Sequence, residues 1–185
     1  MTTTTPQIVS ARLLLRAWQP ADHAPFAAMN ADPAVMRYFP ALMSAEESIA
    51  AATRYNEQLD RDGFTMFAAE SLADGTLLGV LGAQTMRFPV PGLPQPAVEI
   101  GWRLATSAQG HGLATEGARA LLAFLRANTT LQQVVAITAP ENLASRNVME
   151  KLHMQLRPEL SFDHPNVAEG CLHRQHVLYS LELHA

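Results

Sequence analysis

Between residues 98 and 126 the chain passes from a strand-like run, through a turn bearing glycines, into a long amphipathic helix. This junction limits the available folds more than any other stretch. In Val98-Glu99-Ile100-Gly101-Trp102-Arg103-Leu104, alternation puts Val98, Ile100, Trp102 and Leu104 on one face and Glu99, Gly101 and Arg103 on the other. From Gly112 to Arg126, Ala114, Ala118, Leu121, Leu122 and Leu125 recur at helical spacing. The connection is Gln109-Gly110-His111-Gly112-Leu113-Ala114. A helix start leaves backbone N–H groups unpaired, and the aligned peptide dipoles add partial positive charge there. Glycine lacks Cβ, so an anion can approach the backbone and the turn can take unusual φ/ψ angles. A phosphate or pyrophosphate is the natural occupant of such a turn. A tight turn whose glycines only relieve strain has the same spacing, and spacing alone does not separate the two.

Two phosphate motifs are excluded. A dinucleotide fingerprint needs a third glycine where Thr115 stands, and no glycine-lysine-hydroxyl string of a P-loop occurs. The length of 185 residues favours one domain, residues 1–185, with residues 1–7 expected to be flexible. Apolar residues at 48% against 16% charged place the chain among globular proteins. A formal net charge of −4, with no Lys/Arg cluster, leaves no electrostatic footprint for direct nucleic-acid binding. Cys171 is the single cysteine, so no intrachain disulfide forms and a reducing compartment fits. Met1 to Pro6 lacks the basic and apolar regions of a signal peptide, and no apolar run approaches the ~20 residues that span a bilayer. The expectation is a cytoplasmic protein, monomer or homodimer, with no membrane partner.

Ile8 to Trp18 reads as an opening strand, and Asp22 as the N-cap of a helix ending near Asp32-Pro33. Ser44 and Glu47 form a capping box for a helix from Ala45 to about Arg61, closed by Asp62-Gly63. A strand begins at Phe64, and Asp74-Gly75 turns it into Leu77 to Thr85. Four prolines between Phe88 and Pro96 bar that stretch from a sheet interior and suit a stiff hairpin loop. After the glycine turn and its helix come a short central strand at Val134 to Thr138, a helix from about Leu143 to His153, and a closing strand from Leu172 to Leu183. This order predicts an α/β (α+β) fold: a mixed, mostly antiparallel twisted sheet with helices on both faces.

Gln109-x-x-Gly112-x-Ala114 resembles the Q/R-x-x-G-x-G/A motif of the GNAT N-acetyltransferases. Asn142-x-x-Ser145, followed by Val148-Met149-Glu150-Lys151-Leu152, is similar to the second signature of that family. Ala11 to Arg16 and Asp32-Pro33-x-Val35-Met36 resemble the RimJ/RimL-like branch, which holds the ribosomal-protein N-terminal acetyltransferases. The resemblance runs from about Arg12 to Tyr179 and implies a sheet with splayed central strands where coenzyme A enters. It implies acetyl-coenzyme A as cosubstrate, no metal, and an amine acceptor whose identity no motif encodes; a protein N-terminus is one possibility.

Acetyl transfer to an amine needs a held thioester, a deprotonated amine, a stabilised oxyanion and a protonated leaving thiolate. By resemblance, the backbone around Ile100, Trp102, Arg103 and Leu104 serves the pantetheine arm and the thioester oxygen. Gln109, Gly110, His111, Gly112, Leu113, Ala114 and Thr115 surround the pyrophosphate. Glu99 is the candidate base; a solvated strand carboxylate, or one paired with Arg103, is the structural alternative. Asn142 can cap the following helix, turn its amide toward coenzyme A, or do both. Ser145 is the candidate cofactor contact and proton donor to sulfur. The family's tyrosine donor, seven residues beyond the asparagine, is replaced here by Met149, and the glycine after the Lys-Leu pair by His153. His173 and His176, three apart on a strand, would point to opposite faces and cannot chelate one ion. Asp163, His164 and Glu169 stand where this branch builds part of its acceptor wall.

Overall fold

The computed structural model describes residues 5–184, so residues 1–4 of the segment expected to be flexible lie outside it. The opening strand is in fact a hairpin, β1 (Ile8–Val9) and β2 (Leu13–Arg16), with Ile8 opposite Leu15. Ser10 breaks the run: its hydroxyl accepts from the Leu13 N–H at 3.1 Å, and its own N–H donates to the Leu13 carbonyl at 2.9 Å. Such local bonding competes with an unbroken strand. After a short 3-10 turn, helix α1 spans His23–Asn30. Asp22 does not cap it. Its carboxylate accepts instead from Arg16 Nη1 and Nη2 at 2.7 and 2.9 Å, inside the fold, where a charge-assisted bidentate pair outweighs a cap.

Helix α2 (Ala45–Asp62) begins at the expected capping box, with reciprocal bonds between Ser44 and Glu47, and ends at Gly63 in the left-handed conformation. Strands β3 (Met66–Ser71), β4 (Leu77–Thr85) and β5 (Val98–Leu104) follow as antiparallel neighbours. The proline-rich loop between β4 and β5 is anchored rather than free. Val90 and Leu93 are buried with Met86, Ala97, Val135, Leu160 and Leu178. Helix α3 (Leu113–Asn128), strand β6 (Gln133–Thr138) and helix α4 (Leu143–Lys151) then alternate.

Two short strands not expected from the sequence, β7 (Gln155–Leu156) and β8 (Phe162–Asp163), pair with the closing strand β9 (Gln175–Glu182). That strand starts later than Leu172 because residues 168–174 turn back on themselves, with Cys171 N–H bonded to the Ala168 carbonyl and Arg174 N–H to the Cys171 carbonyl. Among the described residues the sheet has nine strands, in the order β1-β2-β3-β4-β5-β6-β9-β7 with β8 on β9, and only β5 and β6 run parallel.

Period-two alternation sorts the side chains. Phe67, Ala69, Leu81, Ala83, Val98, Ile100, Val134, Ala136 and Tyr179 form one core with Ala118, Leu121, Leu122 and Leu125 of α3 and Met149 of α4. Met66, Ala68 and Val80 face the other way, onto Phe26 and Met29 of α1 and Ala51 and Ala52 of α2. Helices therefore cover both faces, as expected. No helix among the described residues is long and apolar enough to cross a membrane.

Candidate active site

The candidate site is built on the parallel junction of β5 and β6. β5 pairs with β4 at every one of its residues, from Val98 opposite Thr85 to Leu104 opposite Gly79. Toward β6 it makes a single registered pair, Glu99 with Val135. Beyond Glu99 the two strands part, so the edge of β5 from Ile100 to Leu104 faces a gap rather than a partner strand. Backbone groups on such an edge await hydrogen bonds from something else.

At the far end of that edge lies the glycine turn. Gln109 Nε2 donates to the Leu104 carbonyl at 2.9 Å and ties the turn to the end of β5. Gly110 and Gly112 have φ of +78° and +77°, a region L-residues avoid. A Cβ at 110 would meet nothing within 4 Å, and one at 112 only Arg12 Nη2 at 3.9 Å. Both readings of the glycines thus hold together: the turn requires them, and its outer side is open. The first helical bond of α3 runs from Glu116 N–H to the Gly112 carbonyl, which leaves the N–H groups of Leu113, Ala114 and Thr115 without an intrahelical acceptor.

Arg12 and Ser10 brace this turn from the β1–β2 hairpin, a contact between distant segments that sequence reasoning missed. The Glu116 carboxylate, in the first turn of α3, accepts from Ser10 Oγ, Arg12 N and Arg12 Nε at 2.7–2.8 Å. Arg12 Nη2 also donates to the His111 carbonyl at 3.1 Å. Burial opposes ionisation of Glu116, but the Ser10 and Arg12 bonds together outweigh it and hold the carboxyl below its usual range. A negative side chain therefore sits at the helix start with its charge already matched.

Glu99 is the last paired residue before the gap. Its carboxyl is pushed up to about 7 by desolvation, partly offset by a hydrogen bond from Gln84, opposite it in register, and by the charge of Arg87. It does not pair with Arg103, the structural alternative. Four residues along a strand separate their Cα atoms by about 13 Å, and the Arg103 side chain goes elsewhere. The guanidinium lies over the rings of Phe39 and Phe26, at 4.8 and 5.7 Å, with Nη1 3.3 Å from Met36 Sδ. Stacking of this kind contributes about 0.5–2 kcal/mol, against several kcal/mol to desolvate an ion. Desolvation accordingly lowers its pKa.

Across the gap, Asn142 Oδ1 accepts from Ser145 N–H at 3.2 Å and caps α4, while Nδ2 donates to Thr138 Oγ1 at 3.0 Å. An amide nitrogen carries two hydrogens, so one donor is left over. The Ser145 hydroxyl is half-buried and makes no hydrogen bond among the described residues. Met149, where the family has its tyrosine, is packed in the core at 1% exposure and cannot serve the gap. A tyrosine reaches α4 from β9 instead: Tyr179 Oη accepts from Arg146 Nε at 3.1 Å and lies 3.4 Å from Glu150 Oε1. His153 takes the left-handed position after α4, at φ +59°.

The loop between α1 and α2 roofs the gap. Asp32 accepts from Thr106 Oγ1 at 2.9 Å on the β5 side. Tyr38 donates to the Glu141 carbonyl at 3.4 Å and packs edge-on against the His173 ring, 5.1 Å away, on the β6 side. His173 stands in a turn, not on the strand, 3.7 Å from Glu141; His176 alone is on β9. Asp163 and Glu169 both face Arg174, at 3.2 and 3.7 Å. The His164 ring lies tilted 4.7 Å from that of His176 and edge-on to Phe88 at 4.8 Å, and burial, with His176 beside it, pushes it down to about 4. These three residues brace the segment before β9. Among the described residues no three His, Cys, Asp or Glu side chains gather as a metal-ligand set.

Comparison with known proteins agrees with this geometry. Residues 12–155 match the model of the acetyltransferase (GNAT) domain. An uncharacterised N-acetyltransferase of Bacillus subtilis, YnaD, is 27% identical over 148 residues, 80% of this chain and 82% of that protein. The solved structure of RimL, a ribosomal L7/L12 alpha-N-protein acetyltransferase in complex with coenzyme A, is similar with a TM-score of 0.76 and 20% identity, covering 96% of this chain and 98% of that one. Mycobacterium smegmatis RimJ, solved with CoA-disulfide, has a TM-score of 0.75 and 18% identity, over 96% and 88%. The chain belongs to the GNAT acetyltransferase family.

Proposed function

We propose that this protein is a cytoplasmic N-acetyltransferase that moves acetyl from acetyl-coenzyme A to a primary amine by direct attack in a ternary complex. The observation that carries the reading is the β5–β6 junction, which opens immediately after Glu99. The residues fit the cosubstrate. The open glycine turn and the unpaired N–H groups of Leu113, Ala114 and Thr115 suit a pyrophosphate, and the free edge of Ile100 to Leu104 suits the amides of a pantetheine arm. Asn142 retains a donor for the same arm. Acetyl-coenzyme A supplies an activated acyl group.

Glu99 takes the amine proton through a water, and a carboxyl titrating near 7 is matched to that task at neutral pH. The nitrogen bonds to the thioester carbonyl carbon, the tetrahedral oxyanion collapses with cleavage of the carbon–sulfur bond, and Ser145 gives the departing sulfur its proton and regains one from solvent. Cys171 is exposed in the turns before β9, and direct attack needs no acetylated cysteine. The RimL likeness supports a protein N-terminus as acceptor, with small-molecule amines as the other class. Thiol release from acetyl-coenzyme A, measured across N-terminal peptides, amino acids and polyamines, tests this: at least one amine is expected to drive release in proportion to its acetylation. Coenzyme A binding with no release for any amine would leave a cofactor-binding partner domain and overturn the proposal.

A further inference from the structure

Arg103 is a charge the acetyl-transfer chemistry does not use. It lies on the same face of β5 as Glu99, turned toward α1 and the α1–α2 loop. Its Nε is shielded from solvent and has no hydrogen-bond partner, and it forms no ion pair among the described residues. Arg16 shows how this fold satisfies a buried guanidinium: Asp22 and Glu70 grip it at 2.6–2.7 Å. Among the described residues Arg103 has the rings of Phe26 and Phe39, the weak acceptor Met36 Sδ and the neighbouring Tyr55 phenol, and no carboxylate. Ring faces offset a fraction of the cost of taking a guanidinium out of water. Asp32, the carboxylate on the same loop, is engaged elsewhere, by Thr106 and the Ala34 N–H.

Its position gives the unpaired charge a meaning. The loop that supplies Met36 and Phe39 also supplies Tyr38, which reaches across the gap to Glu141 and His173. Arg103 thus stands in one wall of the space that an acceptor enters, on the side of Glu99. An arginine fork matches a carboxylate in shape and charge.

We propose that Arg103 binds a carboxylate carried by the acceptor, so that the amine substrate is an acidic one. The strand sets Glu99 and Arg103 about 13 Å apart at their Cα atoms. An acidic side chain in the second or third residue of a peptide spans that readily, and a free amino acid spans it only if both side chains lean inward. The term acceptor rests on the acetyl-transfer reading; the carboxylate site does not.

The test compares Ser-Asp-Ala-Ala with Ser-Asn-Ala-Ala, and L-glutamate with L-glutamine, on the native protein and on Arg103→Leu and Arg103→Gln. The native protein should prefer the acidic member of at least one pair by roughly tenfold or more in KM, as expected for a charge-assisted bidentate bond. Both variants should reduce that preference to near unity. The pair that shows it separates peptide from free amino acid. If no amine is acetylated, calorimetry with the same probes in the presence of coenzyme A reads the preference directly, which separates failure of this proposal from failure of acetyl transfer. Equal handling of both members by the native protein overturns the proposal. So does a preference that survives in the variants while KM for acetyl-coenzyme A rises, which would assign Arg103 to the donor.

Discussion

At the scale of single residues, Glu99, the proposed base, gives the sharpest predictions. Replacing it with glutamine is expected to lower the rate by roughly 10²–10⁴ at neutral pH, with the deficit shrinking as pH rises and free amine becomes abundant. The native kcat/KM should climb through a group titrating at about 7, and the variant should lack that climb. Stability follows the same group. Its folded value of about 7 lies above the ordinary 4.5, so its contribution is fully present below 4.5 and is lost as pH rises through 7. Melting curves should therefore show Glu99→Gln gaining on the native protein across that window; a constant difference would mean that Glu99 is not desolvated. For Ser145→Ala, turnover should fall about ten- to a hundredfold, at or below the lower end for general acid catalysis, with cofactor affinity less affected. A rise in the Michaelis constant for acetyl-coenzyme A at constant turnover would make the serine a cofactor contact only. The placement of Glu99 on β5, of Ser145 in the first turn of α4 and of the glycine turn before α3 was legible because alternation and local motifs specify it. Arg12 with Glu116, the aromatic cage of Arg103, and Tyr179 under α4 were not, since each joins segments far apart in the chain.

At the scale of elements, boundaries were readable where a local signal sets them. The capping box starts α2 at Ala45, Asp74-Gly75 separates β3 from β4, and alternation bounds β5 at Val98 and Leu104. They were misread where side-chain bonding overrides periodicity, as at Ser10, at Asp22 and in the turns before β9. The end of α4 keeps the glycine geometry without the glycine. His153 N–H donates to the Glu150 carbonyl and Met154 N–H to the Met149 carbonyl, at 2.9 and 3.0 Å, a Schellman pattern that places a histidine at φ +59°. His153→Gly should therefore stabilise the protein by up to about 1 kcal/mol, since the left-handed penalty for an L-residue exceeds the added chain entropy of glycine. That gain corresponds to roughly 2–4 °C in Tm. A lower Tm would show that the imidazole makes a compensating contact.

At the scale of the whole molecule, the order of elements was sufficient to infer a mixed sheet covered on both faces, because covering both faces of such a sheet follows from the sequence of strands and helices. The precise place where the sheet opens was not: a single registered pair between β5 and β6 is a property of how two strands diverge, and no residue announces it. This opening and the turn at its end are proposed to form one site for coenzyme A. Calorimetric titration with coenzyme A and with ATP, on the native protein and on Gly112→Asn, tests it most directly. Asparagine tolerates the left-handed backbone better than other side chains do, so the variant adds bulk on the open side of the turn with less strain than any other substitution there. The native protein should bind coenzyme A more tightly than ATP, and Gly112→Asn should weaken coenzyme A by at least about tenfold, near 1.4 kcal/mol, while remaining folded. Equal affinity for the two nucleotides, or undiminished coenzyme A binding by a well-folded Gly112→Asn, would contradict it.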